Sequence, residues 1–280
     1  MTTRVRIRNP NRGLHRRGSR TSRAGAYPAE IARIGREQLA IYDTVEARDI
    51  EVKDIASTGD RLSVTLGDGT DLAAAKILLA TGLVDQLPEL EGLSGLYGRS
   101  IFHYPYCDGW EVRDQPLAVY GRGENGPALA LELTGWSRDL VLCTNGPAEL
   151  SEDTRQKLAD NQIEIREDKI ARLEGADGIL ENILFDHGGN LKRCALFFNL
   201  GHRQHSGLAA RLGCKFETQR GDIVSNRHEA TNVPGIYVAG HAAWHSHMAI
   251  IAAAEGAIAA LAINAELLRI DIKGRSSTVK

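Results

Sequence analysis

The apolar positions of this chain follow two alternating rhythms. Residues 28–42 place Ile31, Ile34 and Leu39 on one helical face behind Pro28, which suits a first turn; they predict an amphipathic surface helix. Three short runs follow, at 45–49, 50–57 and 61–66. The last alternates Leu62, Val64 and Leu66 and ends in the turn Gly67-Asp68-Gly69, which predicts a small antiparallel meander. Residues 75–80, apolar apart from Lys76, run into Thr81-Gly82, the pattern of a parallel strand buried on both faces.

The rhythm then changes. A short apolar strand at 117–120, a glycine turn at 121–126, an Ala/Leu helix at 127–135 and a second strand at 139–143 make a βαβ unit of about 30 residues. Ser151 is placed to cap a helix running to about Asp160. Alternating segments at 163–166, 169–173 and 179–185 lead to an apolar strand at 194–200. A last strand at 236–239 ends at Gly240 and is followed by a long Ala-rich helix to about Leu268. The apolar stretch 248–263 contains Glu255 and is shorter than the roughly 20 residues of a membrane span, so it reads as a buried helix.

Composition sets the class. At 42% hydrophobic and 25% charged over 280 residues the chain is globular, which excludes collagen-like, disordered and disulfide-scaffold classes. The net charge of −2 hides a split: residues 1–25 hold eight arginines and no acid, so that segment is +8 and the remainder −10. The segment has no apolar core, Pro10, Gly13 and Gly18 spoil a helix, and no aromatic precedes Tyr27. It reads as a disordered Arg-rich leader rather than a secretory signal, a transit peptide or a nucleic-acid arm. Cys107, Cys143, Cys194 and Cys214 are far apart and give neither a disulfide framework nor a zinc knuckle, so a reducing cytoplasm is expected. The last three lie in or beside apolar strands and read as packing residues.

The motif with most chemical content is Gly121-x-Gly123-x-x-Gly126 between two strands. Its glycines allow a tight turn, close approach of backbone amides to a pyrophosphate, and close helix–strand packing, with the phosphate at the helix N-terminus. The second strand ends in Cys143-Thr144-Asn145-Gly146, without an acid or an arginine, which leaves NAD against NADP open. His241 and His245 stand at i, i+4 spacing, with His247, His202 and His205 near strand ends. No acid accompanies them at metalloprotease spacing, so no metal site is expected.

Taken in order, ILLATG, HYPYCDGWE, LAVYGRGENG, FFNLGH and VPGIYVAGH with its following helix resemble the thioredoxin-reductase-like branch of FAD/NAD(P)-dependent pyridine nucleotide-disulfide oxidoreductases, over residues 26–271. The resemblance implies an α/β fold of two Rossmann-like, three-layer domains. The flavin-type domain, 26–112 with 201–272, is split around an inserted NAD(P)-binding domain at 113–200, with tails at 1–25 and 273–280. It implies NAD(P)H and FAD as cofactors and hydride transfer to a small-molecule or small-protein electron acceptor, in a homodimer, with neither membrane nor nucleic acid as partner. The cofactor-binding residues it implies are Gly121, Gly123, Glu124, Asn125, Gly126 and Thr144 on the nicotinamide side, and Thr81, Gly82, Gly240, His241, Met248 and Ala249 on the flavin side.

Four departures accompany the likeness. The family's opening strand and first G-x-G-x-x-G have no counterpart here, so the flavin-type domain is expected to be truncated at its N-terminus, leaving the strands at 77–80 and 236–239 without a neighbour. Tyr104 stands where the first cysteine of the redox pair would be, three residues before Cys107, so Cys107 is the one catalytic candidate and a dithiol relay is unavailable. His241 replaces the Asp of Ala-Gly-Asp, and Met248-Ala249 replaces a Gln. Together these predict impaired FAD binding. Two other readings compete: a truncated dinucleotide-binding protein without redox activity, and a metal-dependent hydrolase using the histidines.

Overall fold

Strand pairing sorts the chain into two units. The computed structural model describes residues 2–6, 28–59, 61–243 and 247–277. Among the described residues, one unit holds 28–31 and 86–201, and the other holds 2–6, 32–85 and the chain from His202 onward.

In the first unit the apolar strands form a five-stranded sheet, parallel throughout. Its spatial order is Glu164–Arg166, Leu140–Cys143, Leu117–Tyr120, Ala195–Phe198, Ile101–Phe102. The strands Leu140–Cys143 and Ala195–Phe198 are buried along their whole length, and Leu117–Tyr120 is buried up to Val119, which is why their sequence is apolar without alternation. One face packs Leu117, Val119, Leu142 and Phe197 against Leu129, Ala130 and Leu133 of the helix Asn125–Leu133 and Leu158 of the helix Glu152–Asp160. The other face packs Ala118, Val141, Leu196 and Phe198 against Leu173, Leu180 and Ile183 of a three-stranded antiparallel sheet. That is a three-layer, Rossmann-like arrangement. Ser151 caps the helix Glu152–Asp160 through its Oγ, which accepts from the Thr154 amide at 3.2 Å.

Residues 86–112 lie with this unit, ahead of the boundary at 113 read from the sequence. Residues 86–112 belong here because Ile101–Phe102 is the edge strand of the sheet and Leu93, Leu96 and Tyr97 fill its underside.

In the second unit the antiparallel meander is Val52–Thr58, Arg61–Leu66 and Asp71–Ala74. The run Val45–Asp49, expected in that meander, instead pairs parallel with Thr2–Arg6. Residues 2–6 are therefore a strand and not part of a disordered leader; the remainder of that leader lies outside the described residues. The strand Ile77–Leu79 pairs parallel with Ile236–Val238, so each supplies the neighbour the other was expected to lack. Leu83–Asp85 and His202–Gln204 pair antiparallel where the chain leaves and re-enters the unit.

The closing helix runs from Ala249 to Ser277, beyond the predicted end near Leu268 and into the expected tail, whose residues 278–280 lie outside the described residues. Its segment Ala249–Ile270 is long and apolar enough, by length and composition, to cross a membrane. It is not the buried helix the sequence predicts: Ala259 and Glu255 are buried, but Ile250, Leu261, Leu268 and Ile270 are exposed, Leu261 by 73%. The apolar residues are spread around the helix, and its own unit covers one side of it. Lys76 ties that side to the unit by pairing with Glu266. Glu255 has a structural role: its Oε2 accepts the Gly240 amide at 2.7 Å, where the chain turns with φ 77° between the strand Ile236–Val238 and the helix. Replacing Glu255 by alanine leaves that amide without its carboxylate. The Glu255→Ala variant is expected to lose about 1.5–3 kcal/mol of stability, read as a lower midpoint in urea unfolding.

Candidate functional site

The strand Leu117–Tyr120 turns at Gly121, whose amide donates to the Cys143 carbonyl at 3.2 Å, and the helix Asn125–Leu133 begins four residues later. The turn closes on itself. A Cβ on Gly121 would lie 2.8 Å from the Gly126 Cα, and one on Gly126 would lie 2.5 Å from the Gly121 carbonyl oxygen, so neither position admits a side chain. Gly123 sits at φ 59° and meets nothing within 4 Å of a built Cβ; its glycine answers the backbone conformation rather than crowding. Glu124 is the N-cap residue with no side-chain cap, so the first helical amides are left to backbone geometry and whatever binds there.

Beside this turn the second strand ends in Thr144, fully buried, whose Oγ1 donates to the Gly146 carbonyl at 2.6 Å. Arg122, which sequence reasoning passed over although it lies inside the motif, folds its guanidinium onto this edge. Its Nε donates to the Thr144 carbonyl at 2.6 Å and its Nη2 to the Asn145 carbonyl. The sequence offered no arginine at the end of the second strand; the fold brings one from the glycine turn. Gly121, Gly123, Glu124, Asn125, Gly126 and Thr144 are thus gathered at the carboxyl ends of two interior strands of the parallel sheet, where such sheets bind ligands.

Cys107 lies in the same unit, half-buried in the short helix Pro105–Asp108, with Tyr104 as its N-cap residue. Tyr104 and Tyr106 stand 5.5 Å apart, and Tyr106 meets Trp136 edge-on at 5.1 Å. The other cysteines are packing residues by position. Cys143 is fully buried, and burial pushes its thiol up to about 12; Cys214 is buried and Cys194 half-buried, both raised by desolvation.

In the other unit, Thr81 and Gly82 follow the strand Ile77–Leu79, and Gly240 and His241 follow its partner Ile236–Val238. Gly82 has φ 71° and Gly240 φ 77°. Met248 and Ala249 begin the long helix, the Met248 carbonyl accepting from the Ala252 amide at 2.9 Å. The histidines converge differently from the sequence pairing. His245 lies outside the described residues, while His202, His241 and His247 come together, with ring centroids 5.1 Å apart for His202–His247 and for His241–His247. They surround Asp222, a buried carboxylate the sequence did not single out, because its partners are 20 and 25 residues away in the chain. Burial, seconded by His241 and Arg220, pushes His247 down to about 4, so it is neutral at neutral pH.

The pyridine nucleotide-disulphide oxidoreductase pattern matches residues 12–258. The chain belongs to that family. It is 27% identical over 249 residues to a "Probable thioredoxin reductase" of Arthroderma benhamiae, covering 78% of this chain and 62% of that protein. It is also 27% identical over 240 residues to an alkyl hydroperoxide reductase component of Staphylococcus aureus, covering 80% of this chain and 45% of that protein. Among solved structures, HlmI superposes with a TM-score of 0.89 at 30% identity, over 98% of this chain and 87% of that one. The chain thus spans under two thirds of the length of these two curated relatives.

Members of this oxidoreductase family generally use FAD and NAD(P)H, and the match runs across the departures at Tyr104, His241 and Met248. The expectation of impaired FAD binding therefore has no support. The cysteines give a direct check. In the native protein at pH 8, Cys143 is expected to resist iodoacetamide while Cys107 reacts, and denaturant should equalise them; peptide mass spectrometry reads the difference.

Proposed function

We propose that this chain is a thioredoxin-reductase-like, NAD(P)H-dependent flavin oxidoreductase that delivers reducing equivalents to a small acceptor without a dithiol pair, as a cytoplasmic homodimer. The observation that carries the proposal is the contact of Gly121 with Gly126. A turn in which both residues exclude a Cβ, at the carboxyl end of an interior strand of a parallel sheet and at a helix start, is the form a dinucleotide pyrophosphate needs.

The residues fit both cofactors. Gly121, Gly123 and Gly126, with the amides of Glu124 and Asn125, would hold the nicotinamide dinucleotide, and Thr144 borders its ribose side. Gly82 and Gly240, in left-handed conformations at the ends of two paired parallel strands, expose backbone at the edge of the second unit and would hold the flavin with Thr81, His241, Met248 and Ala249. When bound, NAD(P)H would supply a hydride and FAD would serve as the two-electron carrier to the acceptor. The chain's own contribution is to position and exclude. Arg122 covers the carbonyls of Thr144 and Asn145, leaving its cationic edge beside the ribose side of the turn. Glu255 fixes the Gly240 turn through its amide.

Tyr104 supports a route without a disulfide, because a phenol cannot pair with the Cys107 sulfur. The exposed apolar residues Ile258, Leu261 and Leu268 of the long helix support self-association.

The purified protein should be yellow with flavin absorbance and should oxidise NADH or NADPH with a quinone or oxygen as acceptor. Gly126→Ala is expected to abolish nicotinamide nucleotide binding, while Cys107→Ser leaves turnover within about twofold, because no step on this reading uses the thiol. A colourless protein that still binds NAD(P)H would instead identify a binder without redox activity, and turnover lost in Cys107→Ser would return the thiol to the reaction.

A further inference from the structure

Asp222 is buried to 1% exposure in the middle of the second unit, and such a carboxylate requires partners. Its Oδ1 lies 2.7 Å from the Nε2 of His202, and its Oδ2 lies 3.9 Å from the Nε2 of His247. One donor atom from each of the three residues falls within 4.8 Å of the others. The residues come from three separate segments: the strand His202–Gln204, the loop after Gly221, and the residue pair preceding the helix Ala249–Ser277.

The scaffold around them is braced. The Gln204 amide donates to the carbonyls of Gly221 at 3.0 Å and Ala242 at 3.1 Å, tying the Asp222 loop to the turn that carries His241. The Glu217 amide donates to the Asp222 carbonyl at 2.8 Å, and the Glu217 carboxylate accepts the amides of Gln219 and Arg220, which closes that loop from the other side. His241 packs its ring against His247, and His202 stands opposite Asp85 across the strand pair.

The cation already present is informative. The Nε of Arg220 lies 3.1 Å from Asp222 Oδ2 and its Nη2 lies 3.4 Å from His247 Nε2, so one positive group touches two of the three donor residues. Arg220 is half exposed and its side chain can turn to solvent without disturbing the core.

We propose that His202, Asp222 and His247 form a binding site for a divalent transition-metal ion of the zinc class. Two imidazole nitrogens and one carboxylate oxygen are a borderline donor set that suits Zn²⁺, Co²⁺ or Fe²⁺, whereas Ca²⁺ and Mg²⁺ require oxygen ligands. Metal entry displaces the Arg220 guanidinium and replaces the direct contact between His202 Nε2 and Asp222 Oδ1, freeing both atoms as ligands. Three protein ligands leave a coordination position for water or a small ligand, as in catalytic rather than structural zinc sites. The three ligands lie outside the Gly121–Gly126 turn, although His247 adjoins Met248 and meets the His241 ring, both assigned above to the flavin.

The test uses the full chain, stripped with chelator and titrated with Zn²⁺ and Co²⁺. One equivalent of Zn²⁺ is expected to bind and raise the unfolding temperature, and Co²⁺ to develop visible d–d absorption. His202→Asn and His247→Asn should each weaken binding by more than about tenfold. Arg220→Ala, a change at a half-exposed position that leaves the ligands intact, should tighten binding several-fold by removing the competing charge. Absence of stoichiometric Zn²⁺ in the folded wild-type protein, undiminished binding in the His202→Asn/His247→Asn double variant, or weaker binding in Arg220→Ala would each overturn the assignment.

Discussion

The closest constraint in the unit built on the five-stranded parallel sheet is the meeting of two glycines. Gly121 ends a strand and Gly126 opens a helix, and their backbones approach so closely that a methyl group on either would overlap the other. Because the helix lies directly on the sheet there, Leu129 and Leu133 reach Val119, Leu142 and Phe197, and the layer closes as one apolar core. The same approach leaves the first helical amides uncovered at the carboxyl ends of the strands. The tightness of the turn and the closure of the core are thus two results of one local geometry.

The second unit is held differently. Its central parallel pair is short, and the chain turns at Gly240 into a long helix, so the junction is fixed by a carboxylate rather than by backbone contact: Glu255 reaches back from the helix to the Gly240 amide. That explains an acidic residue in an otherwise apolar run. The neighbouring Asp222 follows similar logic at greater cost. A buried carboxylate is tolerated because two imidazoles and a guanidinium share its charge, and that arrangement also gathers metal-ligating groups. The chain therefore combines the architecture of a pyridine nucleotide-disulphide oxidoreductase with a polar centre rich in histidine.

Legibility in the sequence followed the range of the interactions involved. The βαβ unit was readable because strand, turn and helix are contiguous, and because a strand buried on both faces must be apolar without alternation. Ser151 was readable because capping is a contact over three residues. Val45–Asp49 was misplaced into the meander because its true partner, Thr2–Arg6, lies in an arginine-rich segment whose composition resembles a disordered leader. The domain boundary was misplaced because Ile101–Phe102, a two-residue edge strand, carries too little pattern to reveal which sheet it joins. Burial of the long helix was overstated because hydropathy along a helix records which residues are apolar and not which side the rest of the fold covers.

The sequence by itself determined the α/β class, the glycine turn and its placement between two strands, and the family, since each depends on residue type over short spans. Tertiary structure decided the rest. It brought Arg122 onto the end of the second strand, turned Glu255 into a clamp for Gly240, and assembled His202, Asp222 and His247 from segments 20 and 25 residues apart. Side chains that far apart in the chain have no shared periodicity, and only the pairing of strands and the closure of loops brings their donor atoms together.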